Sequence, residues 1–216
     1  PKLVGNKQRV LVSDLSGKSN ISFKANELDI KYKDSKEITG KLVSKVKDLE
    51  FEGYQFEAAD ASLELILREL SGEYSPFFKV LDSKVHISYD ESGTEKADAT
   101  LKVLVGDDIE HTASDGDGPV DALNNALRKA LAMFFPELKD VRLTDYKVRV
   151  LNEQEGTGAK VRVLIESAYE DDSWSTIGVS KNIIEASRQA LSDSFNYRLA
   201  KLSNWSIKNK KSLQLS

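Results

Sequence analysis

An internal repeat in the second half of the chain is the feature that most restricts its fold. The first strands of the two copies match at an offset of 63 positions, pairing Phe78, Val80, Asp82, Val85 and Ile87 with Val141, Leu143, Asp145, Val148 and Val150. From Ala97 and Val161 onward the offset is 64, and it holds through the helical patterns that begin near Val120 and Ile184. Each copy has the order strand, strand, strand, helix. The sequence therefore predicts a duplicated βββα domain.

Two further expectations follow from the repeat. The inward-facing positions change parity around Asp82 and Asp145, which predicts a β-bulge in the first strand of each copy. A βββα unit leaves one face of its sheet open, so two units are expected to pack about a pseudo-twofold axis. We expect one domain over residues 76–202, with repeat 1 at 76–136 and repeat 2 at 137–202.

The region before the repeat has a different pattern. Helical periodicity extends from Asp34 to Gly53, with Asp34 and Glu37 as a potential capping box, and again from Asp60 to Ser71. Two short helices bury little apolar surface alone, so residues 31–75 are predicted to be a small, mainly helical linker subdomain that needs a neighbour. The predicted fold class is α+β, with this linker subdomain placed before the duplicated domain.

Composition excludes several classes of function. The chain has no cysteine and only two histidines, His86 and His111, so thiolate chemistry is excluded and metal ligands are few. A net charge of -4 offers nucleic acid no bulk attraction, and no apolar run approaches the roughly 18 residues of a membrane span. We expect no nucleic-acid or membrane partner and a cytoplasmic setting. The chain starts at Pro1 and ends in a basic tail at 203–216, and we expect it to be a fragment of a longer protein.

An acidic glycine turn precedes the first repeat helix. It comprises Asp115, Gly116, Asp117 and Gly118, and Pro119 then occupies the first helical position. The free N–H groups and the positive dipole end of a helix start favour a carboxylate, and the two aspartates could take an ammonium. An amino acid carries both groups. The alternative is an ordinary capped helix, since caps are far commoner than ligand sites.

The second copy has a corresponding turn, Ile177-Gly178-Val179-Ser180-Lys181-Asn182. Asn182 is predicted to cap the following helix, with Glu185 three residues later completing a capping box. If the two helix starts face each other across the pseudo-twofold, both turns line one cleft. The candidate ligand-binding residues are therefore Asp115, Gly116, Asp117, Gly118, Pro119, Ala122, Ile177, Gly178, Val179, Ser180 and Asn182. The aromatic residues Trp174, Tyr169 and Tyr197 are interpreted as core.

These turns carry a resemblance to a known family. The segments Gly116-Asp117-Gly118-Pro119-Val120-Asp121-Ala122 and Gly178-Val179-Ser180-Lys181-Asn182-Ile183-Ile184-Glu185-Ala186-Ser187 resemble the duplicated C-terminal regulatory domain of the α-isopropylmalate synthase family. The opening Arg9-Val10-Leu11-Val12-Ser13-Asp14-Leu15-Ser16-Gly17-Lys18-Ser19-Asn20-Ile21 is similar to the linker that follows the barrel in the citramalate synthase branch. Residues 1–30 are accordingly expected to follow a TIM barrel that lies outside this chain.

The resemblance implies a parent transferase of branched-chain amino acid biosynthesis. In such enzymes the barrel condenses acetyl-CoA with a 2-oxo acid at a divalent metal, so no catalytic residue, metal or cofactor is expected in this fragment. The resemblance further implies that the regulatory domain forms a homodimer and binds isoleucine or leucine as a feedback inhibitor. Asp117 departs from the Asn common in isopropylmalate synthases, which leaves the effector open. The alternative is a purely architectural dimerisation module without effector binding.

Overall fold

The computed structural model describes residues 36–151 and 153–203, so the linker segment at 1–30, the potential capping residue Asp34 and most of the tail lie outside the described residues. The helices and strands are α1 (Lys36–Glu52), α2 (Asp60–Leu70), β1 (Lys79–Tyr89), β2 (Glu95–Val105), β3 (Asp108–Gly116), α3 (Pro119–Ala132), β4 (Arg142–Val150), β5 (Val161–Tyr169), β6 (Asp172–Ser180) and α4 (Ile183–Leu202). Short 3-10 helices lie at Phe56–Ala58, Pro136–Leu138 and Glu153–Gly158.

The six strands form two antiparallel sheets of identical topology. Sheet 1 has the order β1-β2-β3 and sheet 2 the order β4-β5-β6. The predicted bulges are present, because the register shifts between Val80 and Asp82 in β1 and between Leu143 and Asp145 in β4. The duplicated βββα architecture and the α+β class are confirmed.

Each repeat helix packs on one face of its own sheet, which we call the inner face. A buried threonine marks the contact in both copies. Thr112 Oγ1 donates to the carbonyl oxygen of Ala126 at 3.0 Å, and Thr176 Oγ1 donates to that of Ala190 at 2.8 Å. Both threonines sit on the third strand of their copy, and both accepting carbonyls lie in the helix. The matching contacts show that the repeat extends to the packing of helix on sheet.

The two copies share one hydrophobic core. Its buried members come from β2 and α3 of the first copy, from β5 and α4 of the second, and also from α2. Arg128 of α3 donates to the carbonyl oxygen of Val141, the residue before β4, and its guanidinium lies 5.3 Å from the ring centroid of Phe195 in α4. These non-local contacts fix α3 against the second copy.

The two N-terminal helices cover the outer face of sheet 2. Gly53, at φ 112°, ends α1, as the sequence predicted. A second apolar cluster places Ile177 of β6 among buried residues of the helical region, namely Leu42, Val46, Phe56, Ala59, Leu63 and Leu67. The helical spacing of Leu70 from Leu63 and Leu67 predicts an inward-facing position for it, but Leu70 is exposed in the last turn of α2. No helix in the described ranges is long and apolar enough to cross a bilayer.

Candidate functional site

The acidic turn connects β3 to α3 at close range. A side chain at Gly116 would place its Cβ 2.2 Å from the backbone nitrogen of Ala122, so the turn packs directly on the helix. Gly118 is the N-cap and provides no side-chain hydrogen bond, and Pro119 occupies the first turn as predicted. Asp121 closes the turn instead, because its Oδ2 accepts from the backbone N–H of Asp117 at 3.0 Å.

The two aspartates of this turn differ in their position. Asp115 pairs with Asp98 on β2, three residues beyond Thr112, whose hydroxyl points at α3. Alternation along the strand therefore directs Asp115 to the outer face of sheet 1, away from the helix start. Asp117 follows the last strand residue and is exposed. Asp117 is accordingly better placed than Asp115 to approach a ligand at the start of α3.

At the second turn, Asn182 caps α4 as the sequence predicted, but the predicted capping box with Glu185 does not form. Asn182 Oδ1 accepts from the backbone N–H of Ile184 at 2.9 Å. The expected capping box is wrong, because Glu185 bonds to Arg188 at 2.6 and 2.7 Å and to Gln189, while Ser180 Oγ accepts from the N–H of Asn182. The charge-assisted contact with Arg188 is the stronger one and holds the pKa of the Glu185 carboxyl below its usual range, against the opposing effect of burial.

Ile177 and Val179 face the N-terminal helices and not the start of α3. The N–H of Ile177 donates to Ser62 Oγ at 3.1 Å, and the N–H of Val179 donates to Gln189 Oε1 at 3.1 Å. At Gly178 a Cβ would lie 2.0 Å from the carbonyl oxygen of Ala186, so β6 and α4 are in backbone contact. Ala122 is fully buried. The contacts of the second turn thus lie within its own repeat and with the helices that precede the repeat.

A cleft of about 600 Å³ begins where the acidic turn ends. It lies between the first turns of α3 and the start of β4. Its lining residues are Val120, Asp121, Asn124, Arg128, Lys139, Val141, Arg142, Leu143 and Tyr146. The cleft therefore joins the helix start of one copy to the first strand of the other.

The walls of this cleft combine acceptors, cations and apolar surface. Asn124 is buried, and its Oδ1 has no hydrogen-bond partner within the described ranges. Asp121 and Arg128 place a negative and a positive side chain along the α3 wall of the cleft. Burial lowers the pKa of the Arg128 guanidinium, and the charge of Asp121 opposes that shift. Leu143 and Val141 supply apolar surface. Such a lining suits a small zwitterion with an aliphatic side chain.

None of these lining residues is among the candidate ligand-binding residues that the sequence indicated. Only Asn124 could have been recognised as a candidate from the sequence, because it is a polar residue next to Leu123 on the helix face that meets the core. Tyr146 could not be assigned from its pattern, and the structure shows its hydroxyl 2.9 Å from Ser187 Oγ on α4. The cleft is therefore connected by a hydrogen bond to the second repeat helix.

Other candidate groups have structural roles. The Trp174 indole N–H donates to the backbone and hydroxyl oxygens of Ser194, and both Trp174 and Tyr197 are buried, which confirms their assignment to the core. His111 is exposed on β3. Within the described residues, no group of three or more histidine, aspartate or glutamate side chains is placed to hold a metal ion.

The chain resembles known proteins over most of its length. Residues 57–199 match the LeuA allosteric (dimerisation) domain. The chain is 50% identical over 206 residues to an (R)-citramalate synthase of Geobacter sulfurreducens and 48% identical over 202 residues to one of Aquifex aeolicus, with 93% of the chain covered in both cases. It is 31% identical over 127 residues, or 59% of its length, to a 2-isopropylmalate synthase of Shewanella woodyi.

These relatives are longer than the chain. The matched part is 38% of each of the two citramalate synthases and 22% of the isopropylmalate synthase. The chain thus spans about two fifths of the length of the citramalate synthases that it matches.

Proposed function

Because the chain belongs to the family of the LeuA allosteric (dimerisation) domain, we propose that it is the effector-binding and dimerisation region of a citramalate or 2-isopropylmalate synthase. The parent would be an acyltransferase that condenses acetyl-CoA with a 2-oxo acid. Its catalytic residues and divalent metal would lie in a barrel outside this chain. The observation that carries the effector proposal is the cleft between α3 and β4, whose lining suits an amino acid.

The proposed effector is a branched-chain amino acid, isoleucine or leucine, bound by three parts of the cleft. Asp121 would accept the ammonium, with the Oδ1 of Asn124 nearby as a second acceptor. Arg142 would attract the carboxylate, since it lies at the opposite wall and is exposed. The aliphatic side chain would pack on Val141 and Leu143. The acidic turn from Gly116 to Pro119 then forms the rim of the site, next to the first turn of α3.

The proposed dimer interface lies on the inner faces of the edge strands. Ile87 pairs with buried Ala97 and therefore faces inward, yet 44% of its surface is exposed. Val150 occupies the same position in β4 and is also 44% exposed. The two repeats of one chain thus expose apolar side chains in equivalent positions. Such a surface suits a twofold dimer, in which each of the two chains contributes the same patch.

Effector binding can inhibit only if the effector prefers one arrangement of the domains over another. The structure offers a route for such coupling, because Tyr146 of the cleft bonds to Ser187 of α4, and α4 contacts the helical region that precedes the repeat. The expected coupling free energy is about 1–3 kcal/mol. The alternative function is an architectural dimerisation module that binds no effector.

Calorimetric titration of the chain with L-isoleucine and L-leucine tests the proposal, with D-leucine as the control for stereospecific binding. One L-amino acid should release or absorb heat with a saturable isotherm and raise the melting temperature, as a ligand of the folded state does. Absence of both heat and thermal shift at millimolar concentration of either amino acid would reject effector binding and leave the architectural alternative.

A further inference from the structure

The outer faces of the two sheets differ in how charged residues pair. Between β1 and β2 of sheet 1, two outer-face pairs each join an acidic and a basic side chain, whereas between β2 and β3 Asp98 faces Asp115. Asp82 lies opposite Lys102, and His86 lies opposite Asp98, with His86 Nδ1 3.2 Å from Asp98 Oδ1. Opposite charges in directly facing positions stabilise an antiparallel pair.

The equivalent positions of sheet 2 carry like charges. Asp145 lies opposite Glu166, and Arg149 lies opposite Arg162. Like charges directly opposite one another destabilise a sheet. Lys147 compensates one charge of the acidic pair, because it bonds to Asp145, and its pKa is raised chiefly by that contact and further by Glu166.

The arginine pair has no such compensation. Arg162 donates at 2.7 Å to the carbonyl oxygen of Gly53 and at 2.7 Å to Gln55 Oε1, and both of these acceptors are neutral. Burial lowers the pKa of the Arg162 guanidinium, and the charge of Arg149 lowers it further. Arg149 is exposed and, within residues 36–151 and 153–203, has no hydrogen bond or ion pair. The positive charges of Arg149 and Arg162 thus face each other, and the hydrogen-bond acceptors of Arg162 carry no negative charge.

A second cleft, of about 390 Å³, lies at this arginine pair. It is bounded by the 3-10 helix at Phe56–Ala58 on one side and by the outer face of sheet 2 on the other. Its lining residues are Gln55, Ala58, Lys147, Val148, Arg149, Arg162, Leu164 and Ile177. The cleft therefore combines the basic side chains of Lys147, Arg149 and Arg162 with apolar surface, and it shares no lining residue with the cleft beside α3.

We propose that Arg149 and Arg162 together bind the phosphate or carboxylate group of a small organic anion, whose apolar part rests on Leu164. Guanidinium groups are suited to this role because their planar donors match the geometry of an oxyanion. Partial burial strengthens the attraction, since water screens the charges less there. The ligand would bridge the residues that follow α1 and the second sheet.

The repeat supplies the test variant. Arg149→Asp places an acid opposite Arg162 and so replaces the like-charge pair by an opposite-charge pair, as Asp82 and Lys102 form in sheet 1. It leaves the bonds of Arg162 to Gly53 and Gln55 intact. The matched control is Lys84→Asp, which makes the same change of charge at an exposed residue on the outer face of sheet 1.

The experiment is thermal unfolding of the whole chain at low ionic strength with inorganic phosphate, with succinate, or with sodium chloride at matched ionic strength. Phosphate or succinate should raise the melting temperature saturably above the chloride series. Arg149→Asp should melt higher than the wild type without added anion and should bind the active anion at least tenfold more weakly, whereas Lys84→Asp keeps the wild-type response.

Each outcome decides a part of the proposal. A response to phosphate alone assigns a phosphate ligand, and a response to succinate alone assigns a carboxylate ligand. The proposal is overturned if neither anion acts beyond chloride, or if Arg149→Asp responds as strongly as the wild type.

Discussion

Ser62 and Asp193 join the helical region to the second repeat through a hydrogen bond in which Ser62 Oγ donates to the Asp193 carboxylate at 2.7 Å. The same hydroxyl oxygen accepts the N–H of Ile177 at 3.1 Å, so α2 is connected to both α4 and β6. Burial raises the pKa of Asp193 to about 7, Ser62 acts in the opposite direction, and Glu69 raises it slightly further. The contact is therefore sensitive to pH.

The first prediction concerns the pH dependence of stability. An unfolded Asp titrates near 4, so between about pH 4 and the folded pKa of about 7 the folded chain binds a proton that the unfolded chain does not. The contribution of Asp193 to stability is thus present at low pH and lost as the pH rises toward 7. Asp193→Asn retains an acceptor for Ser62 and removes the charge. It should raise the melting temperature at pH 8 by a few degrees, equivalent to about 1 kcal/mol.

Thermal unfolding of the wild type and of Asp193→Asn at pH 5 and pH 8 gives the measurement. The difference between the two proteins should be small at pH 5 and larger at pH 8. Asp171→Asn removes the same charge at an exposed hairpin position and is the control, which should not reproduce the gain in melting temperature at pH 8. Parallel profiles for Asp193→Asn and the wild type would show that Asp193 does not titrate in this range.

The second prediction uses the close approach of β6 to α4. In Gly178→Ala the new Cβ would lie 2.0 Å from the carbonyl oxygen of Ala186, which forces strand and helix apart. We expect a loss of about 2–4 kcal/mol in the free energy of unfolding. Gly118→Asn is the control, because no atom lies within 4 Å of the position that its Cβ would occupy and Asn can cap α3 as Asn182 caps α4. It should change stability by less than about 0.5 kcal/mol, and urea denaturation measures both.

The strands and helices of this fold were predictable because each local hydrophobic pattern occurs twice in the chain, once in each copy of the repeat. The bulges at Asp82 and Asp145 follow from a parity change that is visible in the sequence, and the cap at Asn182 follows from local chemistry. The capping box failed because Arg188 competes for Glu185, and periodicity alone does not weigh such competing partners.

The position of the cleft was not predictable, because it depends on contacts that are distant in the chain. The α3 helix meets β4 through Arg128 and the carbonyl oxygen of Val141. Strand alternation shows that Ile177 and Val179 face opposite to Thr176, but it does not show that α2 covers them. The sequence therefore identified the helix start beside the cleft but none of the residues that line it, in either copy.

The third prediction separates the acidic turn from the cleft as the ammonium site. Asp121→Asn retains an acceptor for the N–H of Asp117 and removes the charge that lines the cleft. Effector affinity should fall tenfold or more, as expected for the loss of roughly 1.5–3 kcal/mol in a charged hydrogen bond. Asp117→Asn should change affinity by less than about twofold, since the charge contact is assigned to Asp121. Calorimetric titration measures the affinity of both variants. A large loss for Asp117→Asn and none for Asp121→Asn would place the ammonium at the turn.

The fourth prediction concerns dimerisation through the inner faces of β1 and β4. Ile87→Asp places a charge on an inward-facing position that is exposed, and twofold symmetry introduces the change twice in each dimer. Since burial of one large aliphatic side chain contributes about 1.5–3 kcal/mol, the dissociation constant should rise at least 100-fold. Ile109→Asp is the matched control, because Ile109 is 54% exposed but lies on the outer face of sheet 1. Light scattering over a dilution series should show monomer for the first variant and dimer for the second. A dimer that survives Ile87→Asp and is lost in Ile109→Asp would place the interface on the opposite face of the sheet.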